Sequence, residues 1–414
     1  MPTSNDSPRY FFTFIAAYLL EELGNSKLGV GLTAPLVIIM LGVLSCRPFF
    51  SRGLPLGKPG YVLVFILLMA YQMVSALLAP PDCSAGAKFF TSLIIALGTG
   101  WALGWVHPER AIASERGSRV LLHFMSSALL LAWAGVDIMT LSGTGTRIKS
   151  GFYLEPSHLA LHILPLICYR LLTNAWDKPA IAAVLLAFLV VPSATLAVGV
   201  GAIAGLLFYM KTRSLFLRLG APLLVIVLLA VASTHVGVNP ILDRISGVLH
   251  YDPDAITNLS SVVWLNGWSQ AYAHWEHSSG AGVGLNQMGC GALESAGMMA
   301  SWMWVNVGAY LNYNDGSFLV SKVISEFGVL GLLACFYFTA KAAASILRLI
   351  KISRCLAVPA ESIVSEAVLR ATGGLALLVF MYVRNTSYFS FPVILCVCLL
   401  LRGKAVRAEQ CVKA

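Results

Sequence analysis

Charge is what this sequence has least of: 28 Lys and Arg and 19 Asp and Glu among 414 residues, 11% of the chain against 58% hydrophobic. Soluble domains carry about a quarter of their residues charged. A water-soluble protein of this length is therefore excluded, in keeping with a mean hydropathy of +0.79. Two-residue alternation is also missing, because the apolar stretches are continuous, and that excludes an outer-membrane barrel. The nine cysteines show no disulfide-domain spacing. The glycines between Gly280 and Gly289 follow no strand-turn-helix pattern, so they are not a dinucleotide or phosphate loop. No basic cluster sits on a soluble element, which excludes nucleic acid as a partner. Internal repeats, low-complexity tracts and a second domain are absent as well.

What is present is a series of apolar stretches, each long enough to cross or nearly cross a hydrocarbon core of about 30 Å as a helix. They lie near 8–22, 29–46, 59–79, 86–106, 118–141, 157–174, 180–194, 196–210, 219–236, 319–341, 366–383 and 388–402. The fold expected is all-α: one integral membrane domain over 1–414 with about 12 transmembrane helices. A long outer loop over 237–318 joins the ninth and tenth spans, and a shorter one covers 142–156. The first apolar run lacks a small-residue cleavage site and is read as a retained span, with Glu21 and Glu22 at its outer end.

An even number of spans puts both termini on one side. With that side cytoplasmic, all but seven of the 28 basic residues fall there, the bias that sets topology in membrane proteins. The seven on the other side are Lys27, Lys88, Arg147, Lys149, Arg244, Lys322 and Arg384. By the same map Cys83 and Cys290 alone face outward, leaving room for one outer disulfide.

Three outer segments are polar beyond the needs of a linker. Arg147 to His158 leads into an apolar helix with Pro156 at the first helical position, where its missing N–H is harmless. That puts Glu155 at the helix N-terminus, where the macrodipole favours the carboxylate. A capping role and a role in orienting a hydroxyl both suit it. His158 and His162 share a helix face, a spacing that fits structural histidines better than a metal site, and no metal is assigned. The second segment runs from Asn239 through Arg244, Trp264, Trp268, Asn286 and Gln287. At roughly eighty residues it is too long for a passive turn. Its tryptophans suit either sugar stacking or interface anchoring. In the third, Asn312 to Ser317 enters a helix carrying Lys322 and Glu326, four apart inside an apolar run. Unpaired charges there would cost several kcal/mol, so the two either pair or one faces a polar cavity. Asp315 fits a helix cap as well as a catalytic acid.

Taken together, the chain resembles the O-antigen polymerases, membrane enzymes that polymerise lipid-linked polysaccharide. The resemblance rests on Arg147 followed by Gly151-Phe152-Tyr153-Leu154-Glu155-Pro156-Ser157-His158, on the Asn258 to Gly289 segment, and on Asp315-Gly316-Ser317 leading to Lys322, Ser325-Glu326-Phe327-Gly328 and Gly331. It implies a C-type (GT-C-like) multi-span glycosyltransferase, without metal or other cofactor, in the bacterial inner membrane. Its termini would be cytoplasmic and its active site periplasmic. The donor and acceptor would be undecaprenyl-diphosphate-linked oligosaccharides, with membrane lipids around the protein and a chain-length regulator as protein partner.

Such chemistry needs cations for the departing diphosphate and a base for the acceptor hydroxyl. Arg147, Arg244, Lys322 and Arg384 are the diphosphate candidates. Glu155, Asp315 and His158 are the catalytic candidates, with Glu155 expected to handle the hydroxyl. Trp264, Trp268, Asn286 and Gln287 are the sugar-binding candidates. The related O-antigen ligases carry a histidine about ten residues before a Gly-x-x-Gly, a place taken here by Ser317-Phe318, which favours polymerase over ligase. A lipid-linked oligosaccharide flippase would want charges along a membrane-spanning cavity, and Asp137 is one of very few central charges.

Overall fold

The computed structural model describes residues 21, 33–45, 67, 70–71, 74–75, 87–103, 106, 108–113, 115–136, 156–190, 193–212, 259–290, 297–355, 361–385 and 387–402. Arg147, Glu155 and Arg244 lie outside these, as do most of the expected spans at 8–22, 59–79 and 219–236. Among the described residues the regular structure is entirely helical. The helices are α1 (Thr33–Ser45), α2 (Ala87–Ala102), α3 (Glu109–Ala113), α4 (Glu115–Trp133), α5 (Pro156–Thr173), α6 (Lys178–Val190), α7 (Ala194–Lys211), α8 (Leu259–His277), α9 (Gly297–Val307), α10 (Leu319–Cys355), α11 (Glu361–Tyr382) and α12 (Phe391–Arg402).

Among the described residues three segments are long and apolar enough to cross a membrane: Ala194–Lys211, Leu319–Arg354 and Ser365–Tyr382. Shorter apolar helices, Thr33–Val43, Phe89–Ala102, Ser157–Thr173, Lys178–Val190 and Phe391–Arg402, accompany them. Two departures from the sequence expectation stand out. The stretch expected as a loop over 237–318 contains α8 and α9, and α10 runs well past 341 to Cys355. The hydropathy that marks a span fades at Lys341, but nothing after it breaks a helix, so the backbone continues.

The core lies where α5, α11 and α12 meet. Leu159 to Leu172 of α5 are buried on every side of the helix, chiefly by α11 and α7, with α6, α4 and α12 closing the remaining sides. A helix apolar all round is an interior helix. The outer helices are built the other way. On α6, Ala180, Ala183 and Ala187 are fully buried, whereas Leu185 and Leu189 are 65% and 71% exposed. Small residues inward let the backbones approach, and large apolar ones outward suit a hydrocarbon solvent, not water. Adjacent glycines do the same for α11. A Cβ on Gly373 would lie 2.7 Å from Cys396 O of α12, and one on Gly374 would lie 3.0 Å from Ala342 Cα of α10.

The two ends of the bundle differ in chemistry. At one end Arg402 donates to Val106 O at 3.1 Å and to Leu103 O, and reaches Glu109 at 3.4 Å. Tyr169 donates to Ala113 O at 3.2 Å, and Arg170 pairs with Asp177. Asp177 in turn caps α6 by accepting from Ala180 N at 3.0 Å. Arg354 lies over Tyr209 at 4.8 Å. These are residues of the basic side of the sequence map, joined in space. At the opposite end Glu21 accepts from Phe391 N, at 3.1 Å to Oε2, and meets His162 Nε2 at 3.1 Å. His162 Nδ1 faces His158 O at 2.8 Å.

Candidate functional site

The site grows from a break in α10. Gly328 has φ 52° and ψ −128°, a backbone state open essentially to glycine alone, and it splits the helix into a short N-terminal piece and a long one. The loop after α8 fills the break. Val283 N donates to Ser325 O and Gly284 N to Glu326 O, each at 2.9 Å, and Val329 N donates to Gly280 O at 2.9 Å. Backbone groups freed by the break are thus satisfied by protein, the condition for irregular backbone within a membrane bundle. The fit leaves no room for side chains, since a Cβ on Gly328 would come within 1.9 Å of Gly280 O.

Inside this junction sits Glu326, with no measurable exposure. Its Oε1 takes Lys322 Nζ at 2.9 Å and Met288 N at 3.2 Å; its Oε2 takes Asn286 N at 2.8 Å and Tyr388 OH at 2.6 Å. Of the alternatives open from sequence, Lys322 and Glu326 therefore pair. Lys322 also donates to Asn314 O at 2.8 Å and lies 5.6 Å from the Tyr388 ring. Asn286 extends the network through Nδ2 to Ser92 Oγ at 3.0 Å, and Gln287 N donates to Gly284 O at 3.1 Å.

The turn before α10 carries Asp315. Asn312 O accepts from Asp315 N at 3.2 Å and Gly316 N at 2.8 Å, and Asp315 Oδ1 accepts from Ser317 N at 3.0 Å. Three residues of the turn, Asn312, Gly316 and Ser317, have positive φ. Ser317 O accepts from Asn385 N at 2.8 Å, which ties the turn to the chain just after α11. Arg384 precedes Asn385 and reaches Ser157 Oγ at 3.4 Å. Burial pushes the Asp315 carboxyl above its ordinary range, while Arg384, the Ser317 N–H, Lys322 and His158 pull in the opposite direction.

Three expected site residues, His158, Lys322 and Arg384, are thus close enough to a fourth, Asp315, to act on its carboxyl. Asn286 and Gln287 lie in the loop that fills the break, where Asn286 meets Glu326 through its N–H at 2.8 Å. Trp264 and Trp268 are placed differently. They pack on Phe318, with ring centroids 5.5 and 4.9 Å away, and the Trp264 indole donates to Tyr382 O at 2.9 Å. His274 is buried on α8 with Nε2 3.1 Å from Cys290 O. Burial holds its imidazole below the ordinary value. Cys290 is disulfide-bonded, whereas Cys168, Cys335, Cys396 and Cys398 are free; Cys83, the other outer cysteine of the sequence map, lies outside the described residues. Among the described residues no group of three or more His, Cys, Asp and Glu side chains is arranged to hold a metal.

Sequence reading missed Tyr388 and Asn385, and it did not connect Glu21 with His162. A signal for the first two existed: Arg384-Asn385-Thr386-Ser387-Tyr388 is a polar interruption between two apolar helices. The Glu21 contact joins residues 141 apart, and no local pattern encodes it. Comparison with protein-family models and with curated proteins finds no match for this chain.

Proposed function

We propose that the chain is a polytopic GT-C-like glycosyltransferase of the O-antigen polymerase type. It joins undecaprenyl-diphosphate-linked oligosaccharide units at the periplasmic face of the bacterial inner membrane, with about 12 spans and both termini cytoplasmic. One observation carries this reading: Arg384 and Lys322, two of the cations that the charge map sets on the outer side, lie with His158 close enough to Asp315 to act on its carboxyl.

In this reading the acceptor hydroxyl attacks the anomeric carbon of the donor glycan. A C–O bond forms there as the bond to the diphosphate oxygen breaks, and undecaprenyl diphosphate leaves. Arg384, with Arg147 and Arg244, supplies forked hydrogen bonds to the departing diphosphate. Lys322 serves differently, since its charge is already answered by Glu326 at 2.9 Å; it adds positive potential near Asp315 and anchors the turn through Asn314 O. The hydroxyl proton passes to a carboxylate. Asp315 suits that step because a carboxyl raised by burial is a stronger base than an exposed one. Glu155, one residue before α5, is the second candidate and the one that the sequence motif favours.

The test is incubation of the purified protein, in detergent or lipid, with defined undecaprenyl-diphosphate repeat units. A ladder of products is expected. Transfer only to a lipid A core would make the protein a ligase, and translocation without new glycosidic bonds would make it a flippase.

A further inference from the structure

Beside the polar cluster lies a cavity of about 570 Å³ walled by α2, α10, α11 and α12. Among the described side chains lining it, only Tyr71 and Tyr388 carry oxygen, and both hydroxyls are engaged elsewhere. Tyr388 donates to Glu326, and Tyr71 bonds the backbone oxygens of Ala281 and Phe327. What faces the cavity is therefore hydrocarbon. Leu97 of α2 and Leu330 of α10 line it and are 41% and 46% exposed, so it opens sideways between these two helices. An apolar cavity of this kind stays dry, and walls without partner atoms forfeit dispersion contacts. A hydrocarbon chain entering from the bilayer restores them.

Position argues for which chain. The upper lining includes Leu319, Val323 and the ring of Tyr388, and Lys322 Nζ lies 5.6 Å from that ring. A chain lying in the groove thus brings its head group toward Lys322 and, through it, toward Asp315 and Arg384. From Leu319 to Phe338 the wall follows α10 for on the order of 25 Å at the helical rise. If a methylene occupies about as much space as a water, roughly 30 Å³, the volume takes about 20 carbons.

We infer that this groove receives the head-proximal part of the isoprenoid chain of a polyprenyl diphosphate, about four isoprene units, and leaves the remainder in the bilayer. The choice of occupant rests on the polymerase reading; the groove does not. In a membrane the chain leaves one hydrocarbon phase for another, so the groove gains little by the hydrophobic effect. Its work is to orient the anomeric carbon against Asp315.

The experiment uses the full chain in nanodiscs and a polyprenyl diphosphate with a photoreactive group on its second isoprene unit. Adducts are mapped by mass spectrometry. They are expected on Leu97, Leu330 and Ala334, and excess unlabelled polyprenyl diphosphate should remove them although the surrounding phospholipid does not. Ala334→Phe and, from the opposite wall, Ala96→Phe fill the groove and should each lower adduct yield at least about tenfold while leaving cross-linking on the outward-facing Phe336 unchanged. Geranylgeranyl diphosphate should compete within about threefold of the full-length lipid, and geranyl diphosphate at least about tenfold less well. Adducts spread over outward residues, or displaced equally by phospholipid, would overturn the proposal. So would a competitor series that keeps improving far beyond four units. Because mapping needs no turnover, groove adducts without polymerisation would sink the polymerase reading alone, and polymerisation without groove adducts would sink only the groove.

Discussion

Replacing Glu326 by glutamine changes one atom and should cost more than almost any other single substitution in the chain. Four donors converge on this carboxylate: Lys322 Nζ and Met288 N on one oxygen, Asn286 N and Tyr388 OH on the other. Removing one partner of a buried ion pair costs about 3–5 kcal/mol. Glutamine also puts an NH2 where one oxygen stood, so two donors on that side face a donor, at about 1–3 kcal/mol for each one left unsatisfied. The sum exceeds about 4 kcal/mol. Lys322→Met should be milder, about 3 kcal/mol at the low end of that range, because Glu326 keeps three of its four hydrogen bonds. The double variant Lys322→Met/Glu326→Gln should then be more stable than Glu326→Gln alone, since the stranded ammonium is gone. Lys322→Met/Glu326→Leu should stay well below wild type, because the N–H groups of Asn286 and Met288 lose their acceptor. Unfolding by SDS titration in mixed micelles, followed by circular dichroism, measures all four. A Glu326→Gln protein within about 1 kcal/mol of wild type, or a double variant whose loss is the sum of the singles, would refute the idea that this pair locks the loop into the helix break.

Gly328→Ala should lower stability by at least about 2 kcal/mol through strain at its positive φ and the clash with Gly280 O, whereas Gly201→Ala, with open space beside it, should be neutral or slightly stabilising in the same titration. Arg384→Lys, like Arg147→Lys and Arg244→Lys, keeps charge but loses the forked contact, and polymerisation at equal protein abundance should fall tenfold or more, about 1.4 kcal/mol; a wild-type rate would remove that residue from the site. Cysteines placed near Ser150, Asp252 and Ser387 should react with an impermeant reagent from outside, while those near Gly57, Arg213 and Lys404 should not, and outside labelling at Arg213 would overturn the topology. Asp315→Asn should abolish chain growth in the purified assay yet raise stability at neutral pH; a variant that polymerises normally while Glu155→Gln is dead would return the hydroxyl to Glu155.

Helices were legible where one apolar face or a full apolar circumference runs uninterrupted. The start of α5 falls at Pro156 and the boundary between α6 and α7 falls near 191–193, both close to the sequence expectation. What hydropathy could not convey was shape within a span. Gly328 lies in a continuous apolar run, and its role depends on a loop some forty residues earlier that enters the break. The helices α8 and α9 were hidden for the opposite reason, since their mixed Trp, Ser, Asn and His content reads as a loop when neither period dominates. Pairing of Lys322 with Glu326 followed from the cost of charge in hydrocarbon. The three further donors on Glu326 come from other segments and leave no mark in local sequence.

Asp315 and Glu326 show how one small region separates holding the fold from doing chemistry. Each is an acid beside Lys322, but Glu326 is met by four donors, whereas Asp315 Oδ1 accepts from the N–H of Ser317. Burial outweighs the attraction of Arg384, Lys322 and His158, so the Asp315 carboxyl is raised. An acid raised on folding stabilises the fold below its unfolded value and loses that contribution as pH rises through the folded one, so at neutral pH its charge is a cost. Folding alone would favour asparagine at this position. A carboxylate kept there against stability, largely buried and near Arg384, fits a group that must accept a proton and return it. The rate should then fall as pH drops through the raised value, an acid limb above the range of an ordinary aspartate. A pH–rate profile flat down to the ordinary aspartate range would assign Asp315 to the turn and leave the proton to another group.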